Sequence, residues 1–175
     1  MQTLVFDKSP LTLQEFTSLN WKYLRKTRKS WFIIPTFLLV VFSINSCNIL
    51  VGTNGYEESK ISDAFWPLGI FLLFFGFLYY SFVKESKKSY FDTPALAEGL
   101  AHTLSEESIT IHGNSMNGIQ GWAVSFKQAV KIGKWILLSS SGTTAYFLDT
   151  EKLVAPATIT DVGELLLRKG IKLKE

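Results

Sequence analysis

Two stretches of the chain carry no charged residue. From Trp31 to Val51 the sequence reads WFIIPTFLLVVFSINSCNILV, and from Ala64 to Val83 it reads AFWPLGIFLLFFGFLYYSFV. A helix rises about 1.5 Å per residue and the hydrocarbon core of a bilayer is about 30 Å thick, so each run is long enough to cross it. Both runs are apolar all round, and a chain of 175 residues has too little other sequence to cover two such helices in a soluble core. Pro35 and Pro67 fall near the helix starts, where a missing N–H costs least. Trp31, Trp66, Tyr79 and Tyr80 fall where interfacial aromatic belts form. The pattern predicts a two-helix transmembrane hairpin over 31–51 and 64–83, joined by an extracytoplasmic loop over 52–63.

The remainder alternates in shorter periods. Thr3 to Asp7 reads as a strand, Ser9-Pro10 interrupts it, and Thr12-Leu-Gln-Glu15 offers a capping box to a helix with Phe16, Leu19, Tyr23 and Leu24 on one stripe. Residues 1–30 are thus expected to form a cytoplasmic strand and a basic amphipathic helix. Residues 84–100 read as a cytoplasmic linker, in which Asp92-Thr93-Pro94 opens a short helix that Gly99 stops. From residue 101 onward the period becomes two. His102 to Ser105 and Ser108 to His112 flank Glu106-Glu107 as a hairpin, and Ile119 to Ser125 continues after Gly- and Asn-rich punctuation. Lys134 to Ser140 and Thr143 to Leu148 flank a Ser-Gly turn. Asp161 to Lys169 closes the chain as a helix with Gly170 beyond its end. The fold class expected for 101–175 is α+β, a cytoplasmic β-rich domain closed by a C-terminal helix. Its core is expected to hold Leu104, Ile109, Ile111, Trp122, Val124 and Leu165, with Gln120, Trp122 and Val124 facing inward and the indole N–H bonded.

Charge orients the spans. Lys22, Arg25, Lys26, Arg28 and Lys29 precede the first, and Lys84, Lys87 and Lys88 follow the second, while the loop between carries Glu57, Glu58 and Asp63 against Lys60. Positive residues beside a span stay in the cytoplasm, so both termini are placed there, and the eight flanking cations are expected to anchor the chain to the lipid bilayer. Gly69 and Gly76 share a face of the second span, and Ser43 and Cys47 give the first a small-residue patch. Small residues admit close helix packing, either within the hairpin or in a homodimer. Ile44-Asn45-Ser46-Cys47 loosely matches a lipoprotein cleavage box, but thirty residues precede Trp31 where a secretory signal has a short basic start. The single cysteine allows no disulfide within the chain. A net charge of +3 without a basic stripe argues against nucleic acid as a partner.

Reactive groups are sparse. Strand parity puts His102 on the face of Leu104, Ile109 and Ile111, as a half-buried packing residue, and turns His112 to solvent, so the two cannot share a metal. Glu106-Glu107 sits at a hairpin tip without the burial that retunes an acid. Ser139 to Gly142 reads as a turn, and phosphate-loop, dinucleotide and zinc-helix motifs are missing. No catalytic residue, metal or cofactor is expected, and the protein is not expected to be an enzyme.

The opening strand, Leu11-Thr-Leu-Gln-Glu-Phe16, the basic stretch, the two spans, Thr103-Leu-Ser-Glu-Glu-Ser-Ile109 and the later Trp122 together resemble the YcxB-like membrane proteins of bacteria. The resemblance covers most of the chain and departs at Phe147 to Lys152, where that family runs into an aliphatic-Pro-Lys segment. It implies residence in a bacterial cytoplasmic membrane and a C-terminal domain like bacterial pleckstrin-homology folds, a bent sheet capped by a helix. It implies no catalytic residues. The function expected is that of a non-enzymatic adaptor or regulator whose cytoplasmic domain binds a protein; the alternative is an immunity protein against a membrane-acting toxin. From Asp92 to Glu175 eight Lys or Arg face nine Asp or Glu, and Lys127, Lys131 and Lys134 are the nearest approach to a basic patch. That balance favours a protein partner docking on a strand edge or on the terminal helix over a lipid headgroup.

Overall fold

The computed structural model describes residues 3–27, 30–51, 61–122, 126–139 and 145–174. The chain forms two compact units, one of residues 1–19 with 89–175 and one of residues 20–88. The described residues hold two four-stranded sheets and five α-helices, an α+β protein.

In the first unit, β1 (Leu4–Ser9), β2 (Leu100–Leu104), β3 (Ser108–His112) and β4 (Asn117–Gly121) form one antiparallel sheet in the order β1-β2-β3-β4. The second sheet has the order β7-β6-β5-β8, with β5 (Gln128–Ile132), β6 (Trp135–Ser139) and β7 (Ala145–Asp149) antiparallel and β8 (Leu173–Lys174) parallel to β5. The N-terminal strand is therefore part of the β-rich unit. Leu4 and Phe6 lie beside Leu104 and His102 and are buried in its core, so a fragment beginning near residue 90 would lack one strand and two core side chains. In place of one bent sheet there are two. Leu104, Ile109, Ile111 and Trp122 from the first meet Ala129, Ile136, Leu138 and Leu148 from the second, together with Val162, Leu165 and Leu166 of the terminal helix.

The second sheet is buried on its other face as well. Val130, Leu137 and Phe147 alternate with the core residues along their strands yet are equally inaccessible. Part of the cover is helix α1 (Leu13–Thr27), whose Phe16 ring lies 5.6 Å from Phe147 and 5.7 Å from Tyr90. The start of α1 is held as its sequence predicts: the Glu15 N–H donates to Thr12 Oγ1 at 3.2 Å, and the Thr12 N–H donates to Glu15 Oε2 at 3.0 Å. The bonds that the Glu15 carboxylate accepts from the Thr12 N–H and, at 2.9 Å, from the Thr12 hydroxyl hold it below the usual carboxylate range.

Helix α2 (Ser30–Val51) carries no charge, and α3 (Ile61–Phe91) is continuous through what reads as the start of a linker. Among the described residues one segment, Leu68–Phe91, is long and apolar enough to cross a membrane by length and composition; the corresponding stretch of α2, Pro35–Ile44, is shorter. Leu72, Leu73 and Phe77 are exposed in α3, and Ile33, Phe37 and Val40 in α2. Within this unit Trp21 packs edge-on against Tyr79 and Phe82, at 5.7 and 5.1 Å.

After α3, helix α4 (Pro94–Glu98) has Pro at its first position and ends at Gly99, where φ is +80°. A Cβ there would stand 2.7 Å from the Pro10 nitrogen, so glycine is required both by conformation and by the approach of the N-terminal segment. Helix α5 (Ile159–Arg168) starts from a capping box between Thr158 and Asp161, two residues before the expected start at Asp161.

Candidate functional site

The hairpins of the first sheet decide which side chains face out. Register pairs Ile109 with Gln120 and Thr110 with Ile119, so the buried face of β3 continues through Gln120 and the outward face through Ile119. Trp122 follows with its indole in the core, and its Nε1–H donates to the Ser105 carbonyl at 2.8 Å across the hairpin mouth. Gln120 is half-buried and accepts a hydrogen bond from the Tyr146 hydroxyl, whose pKa burial raises. Val124, expected beside them, lies outside the described residues.

The result is an asymmetric set of edges. Strand β1 is covered on its outer side, where Phe6 bridges Leu153 and the Val154 N–H donates to the Val5 carbonyl at 2.8 Å. It also carries Asp7 and Lys8. Beside β5, the short β8 fills the edge with Lys172 and Lys174 exposed around it. Strand β4, Asn117-Gly-Ile-Gln-Gly121, has neither charge nor proline, and among the described residues its ladder runs to β3 alone. Ile119 on this edge is 76% exposed. A Cβ at Gly118 or Gly121 would meet nothing within 4 Å, so neither glycine is imposed by packing, and both leave the backbone bare. Edges of native sheets are ordinarily blunted by charge, proline or a covering segment.

Buried polar groups lie elsewhere in the same unit. His102 is more deeply buried than a half-buried packing residue, at 2% exposure, because β1 closes over it: Phe6 is its neighbour across the ladder. Burial pushes its pKa down to about 4. Its Nε2 has no protein partner and the ring lines a cavity of about 30 Å³ beside Ser9, Leu100 and Tyr146, which is room for water and not for an organic ligand. His112 is exposed, on the opposite face. Asp149, also 2% exposed, receives Ser9 Oγ at 3.0 Å, the Glu151 N–H at 3.0 Å and the Lys134 ammonium at 3.1 Å. The hydrogen bond to Asp149 raises the Lys134 pKa. Lys134 is thus committed to a structural pair and is not part of a basic patch with Lys127. Glu106, read as a solvated hairpin tip, instead receives Lys169 at 2.6 Å and Arg168 at 3.0 Å, which hold its carboxyl below the usual range. It clamps the end of α5 to the β2–β3 turn.

Of the other residues singled out by sequence, Leu104, Ile109, Ile111 and Leu165 are buried in the core. Lys22, Arg25, Lys84, Lys87 and Lys88 are exposed, Lys26 is half-buried, and Arg28 and Lys29 lie outside the described residues. Gly69, Gly76, Ser43 and Cys47 are exposed. A Cβ at Gly69 or Gly76 would meet nothing within 4 Å among the described residues. Sequence reasoning places Gln120 inward but passes over Asp149 and Tyr146, whose partners lie far off in the chain; the local signal at β4 is the lack of charge and proline in residues 117–121. Comparison with protein families, with curated proteins and with solved structures finds no match to this chain, so the YcxB-like resemblance rests on its sequence features alone.

Proposed function

We propose that the protein is a non-enzymatic membrane-anchored adaptor or regulator that captures an extended segment of a partner protein along β4. In this reading 31–51 and 64–83 form a transmembrane hairpin in a bacterial cytoplasmic membrane, supported by the uncharged α2 and by the apolar exposure of α3. The β-rich unit then lies in the cytoplasm and is of the pleckstrin-homology kind. The observation that carries the docking role is the unprotected edge: a strand without charge or proline, with Ile119 standing in solvent beside a bare backbone. A partner strand would gain main-chain hydrogen bonds, and burying Ile119 would contribute about 1.5–3 kcal/mol.

The test is a photo-crosslinking residue placed at Ile119, and separately at Val5 on the covered edge of β1, in the full-length protein in living cells. Adducts are expected from position 119 and not from position 5, and those from a crosslinking residue placed instead at the exposed Asn117 should vanish with Ile119→Lys in place. Because Ile119 is 76% exposed, that substitution should change stability by less than about 0.5 kcal/mol. Equal labelling at both positions, or none at 119, would refute docking on β4.

A further inference from the structure

Strand β4 is complementary to itself. Directly opposed residues of an antiparallel pair point to the same face, so two copies of β4 that extend one sheet with their outward faces together must pair about a residue and not about a bond. Centred on Ile119, the five residues of β4 overlap completely: Ile119 meets Ile119, Asn117 meets Gly121, and Gly118 meets Gln120. Each glycine then faces a longer side chain, and the one large apolar side chain of the strand faces its own copy. A centre at Gly118 or Gln120 shortens the overlap and sets Ile119 opposite Asn117 or Gly121.

Burial agrees with this register. Asn117, Ile119 and Gly121 are exposed, whereas Gly118 and Gln120 are half-buried and Gln120 holds the Tyr146 hydroxyl. Pairing about Ile119 moves that side chain from water onto its copy and leaves the inward contact of Gln120 in place. Charge agrees as well. A two-fold axis sets a charge at the central position against itself, which destabilises a ladder, and β4 carries no charge at any position, whereas β1 holds Asp7 and Lys8 and β8 holds Lys174. Both ends of the strand are fixed in advance: Asn117 Oδ1 accepts from the Gly113 N–H at 3.3 Å, and Trp122 is tied to the Ser105 carbonyl. Little ordering is left for a partner to impose. An edge of five residues is short of the roughly 1,200–2,000 Å² that a stable soluble complex buries. Copies held in one membrane meet at a raised effective concentration, which offsets so small a contact.

We propose that the segment captured by β4 is β4 of a second copy of this chain, paired antiparallel about Ile119 so that the first sheets of the two copies become continuous. The inference rests on the docking reading given above and names its partner.

Crosslinking of the full-length protein in isolated native membranes, oxidised with copper phenanthroline and with the lone Cys47 changed to Ser in every variant, tests it. Opposed residues of an antiparallel pair have Cα atoms about 4.5–5.5 Å apart, within the span of a disulfide. Ile119→Cys should form a linked dimer, and Val5→Cys on the covered edge should not. Asn117→Cys and Gly121→Cys, carried by differently tagged copies, should crosslink to each other and neither to itself. Ile119→Lys in both copies should abolish that mixed crosslink, and Ile119→Lys in one copy with Ile119→Glu in the other should restore it. Thermal melts before oxidation confirm that each variant is folded. A self-crosslink at position 117 or 121 as strong as the mixed one, or no recovery with opposite charges, would overturn pairing about Ile119. No dimer from Ile119→Cys, alongside photo-adducts from position 119 to another protein, would overturn self-pairing and leave docking on β4 standing. The absence of both dimer and adducts would overturn the docking reading as well.

Discussion

The β-rich unit and the 20–88 unit use the same residue types to opposite ends. In the first, large apolar side chains point inward from two sheets, and its cations at 134, 168 and 169 are tied to carboxylates. In the second, Leu73 is 74% exposed, Phe77 and Ile70 stand out beside it, and Lys84, Lys87 and Lys88 make no ion pair among the described residues. The contrast teaches that the two units differ in where their apolar surface goes: one hides it between its sheets, and the other leaves it exposed along its helices beside positive charge, the pattern on which the membrane proposal rests.

The largest effect that could break the comparison lies in the core of the first unit. Trp122→Ala should cost about 3–5 kcal/mol, because it empties a large cavity and orphans the Ser105 carbonyl. Hydrogen exchange of the β2–β4 amides in the full-length protein measures it; a loss below about 1 kcal/mol would mean that the indole is not a core anchor. No such penalty attaches to Leu73→Ala in α3, whose side chain has no core to leave.

Next comes acid. His102 is neutral in the fold, its pKa lowered from 6.5 to about 4 by burial, so the unfolded chain takes up the proton first. Stability is therefore complete above pH of about 6.5 and falls as pH drops from there toward about 4, by on the order of 3 kcal/mol in total. The carboxylates held below their ordinary values, Glu15, Glu106 and Asp161, give way only further down. Denaturation midpoints across this window should slope in the intact protein and flatten in His102→Leu; identical slopes would show that another group carries the titration.

A smaller loss is expected where the charges of the first unit are committed. Asp149→Asn keeps a partner for Ser9 Oγ but ends the ion pair with Lys134, for a cost of about 1–3 kcal/mol. Unchanged stability would imply that Lys134 is as free as Lys84, and the distinction between the units would weaken.

What could be read in advance followed the range of the interaction. The Thr12–Glu15 box, the Pro94 to Gly99 helix and the hairpin around Glu106 are set by residues within a few positions of one another, and each forms as its spacing suggests. The inward Trp122 followed from alternation together with the small side chains of the opposite face, Ile119, Gly121 and Ala123. The second sheet was harder, because β5 holds Lys131 among its apolar residues and β8 has two residues, too few for a period. The docking of β1 on β2, the burial of Asp149 against Ser9 and the closure over His102 join positions far apart in the chain, and no local pattern encodes them. Of the candidate site, the bareness of β4 is visible in five letters, but its position at an edge is a fact of the fold.

If, as proposed, the 20–88 unit crosses a bilayer twice with both chain ends in the cytoplasm, a pair of reporter fusions measures that directly. A fluorescent protein that folds only in the cytoplasm should be bright when fused after Glu175, and a phosphatase active only outside should work when inserted between Asn54 and Ser59. A dark C-terminal fusion with an inactive loop insertion, or activity of the phosphatase at the C-terminus, would contradict it.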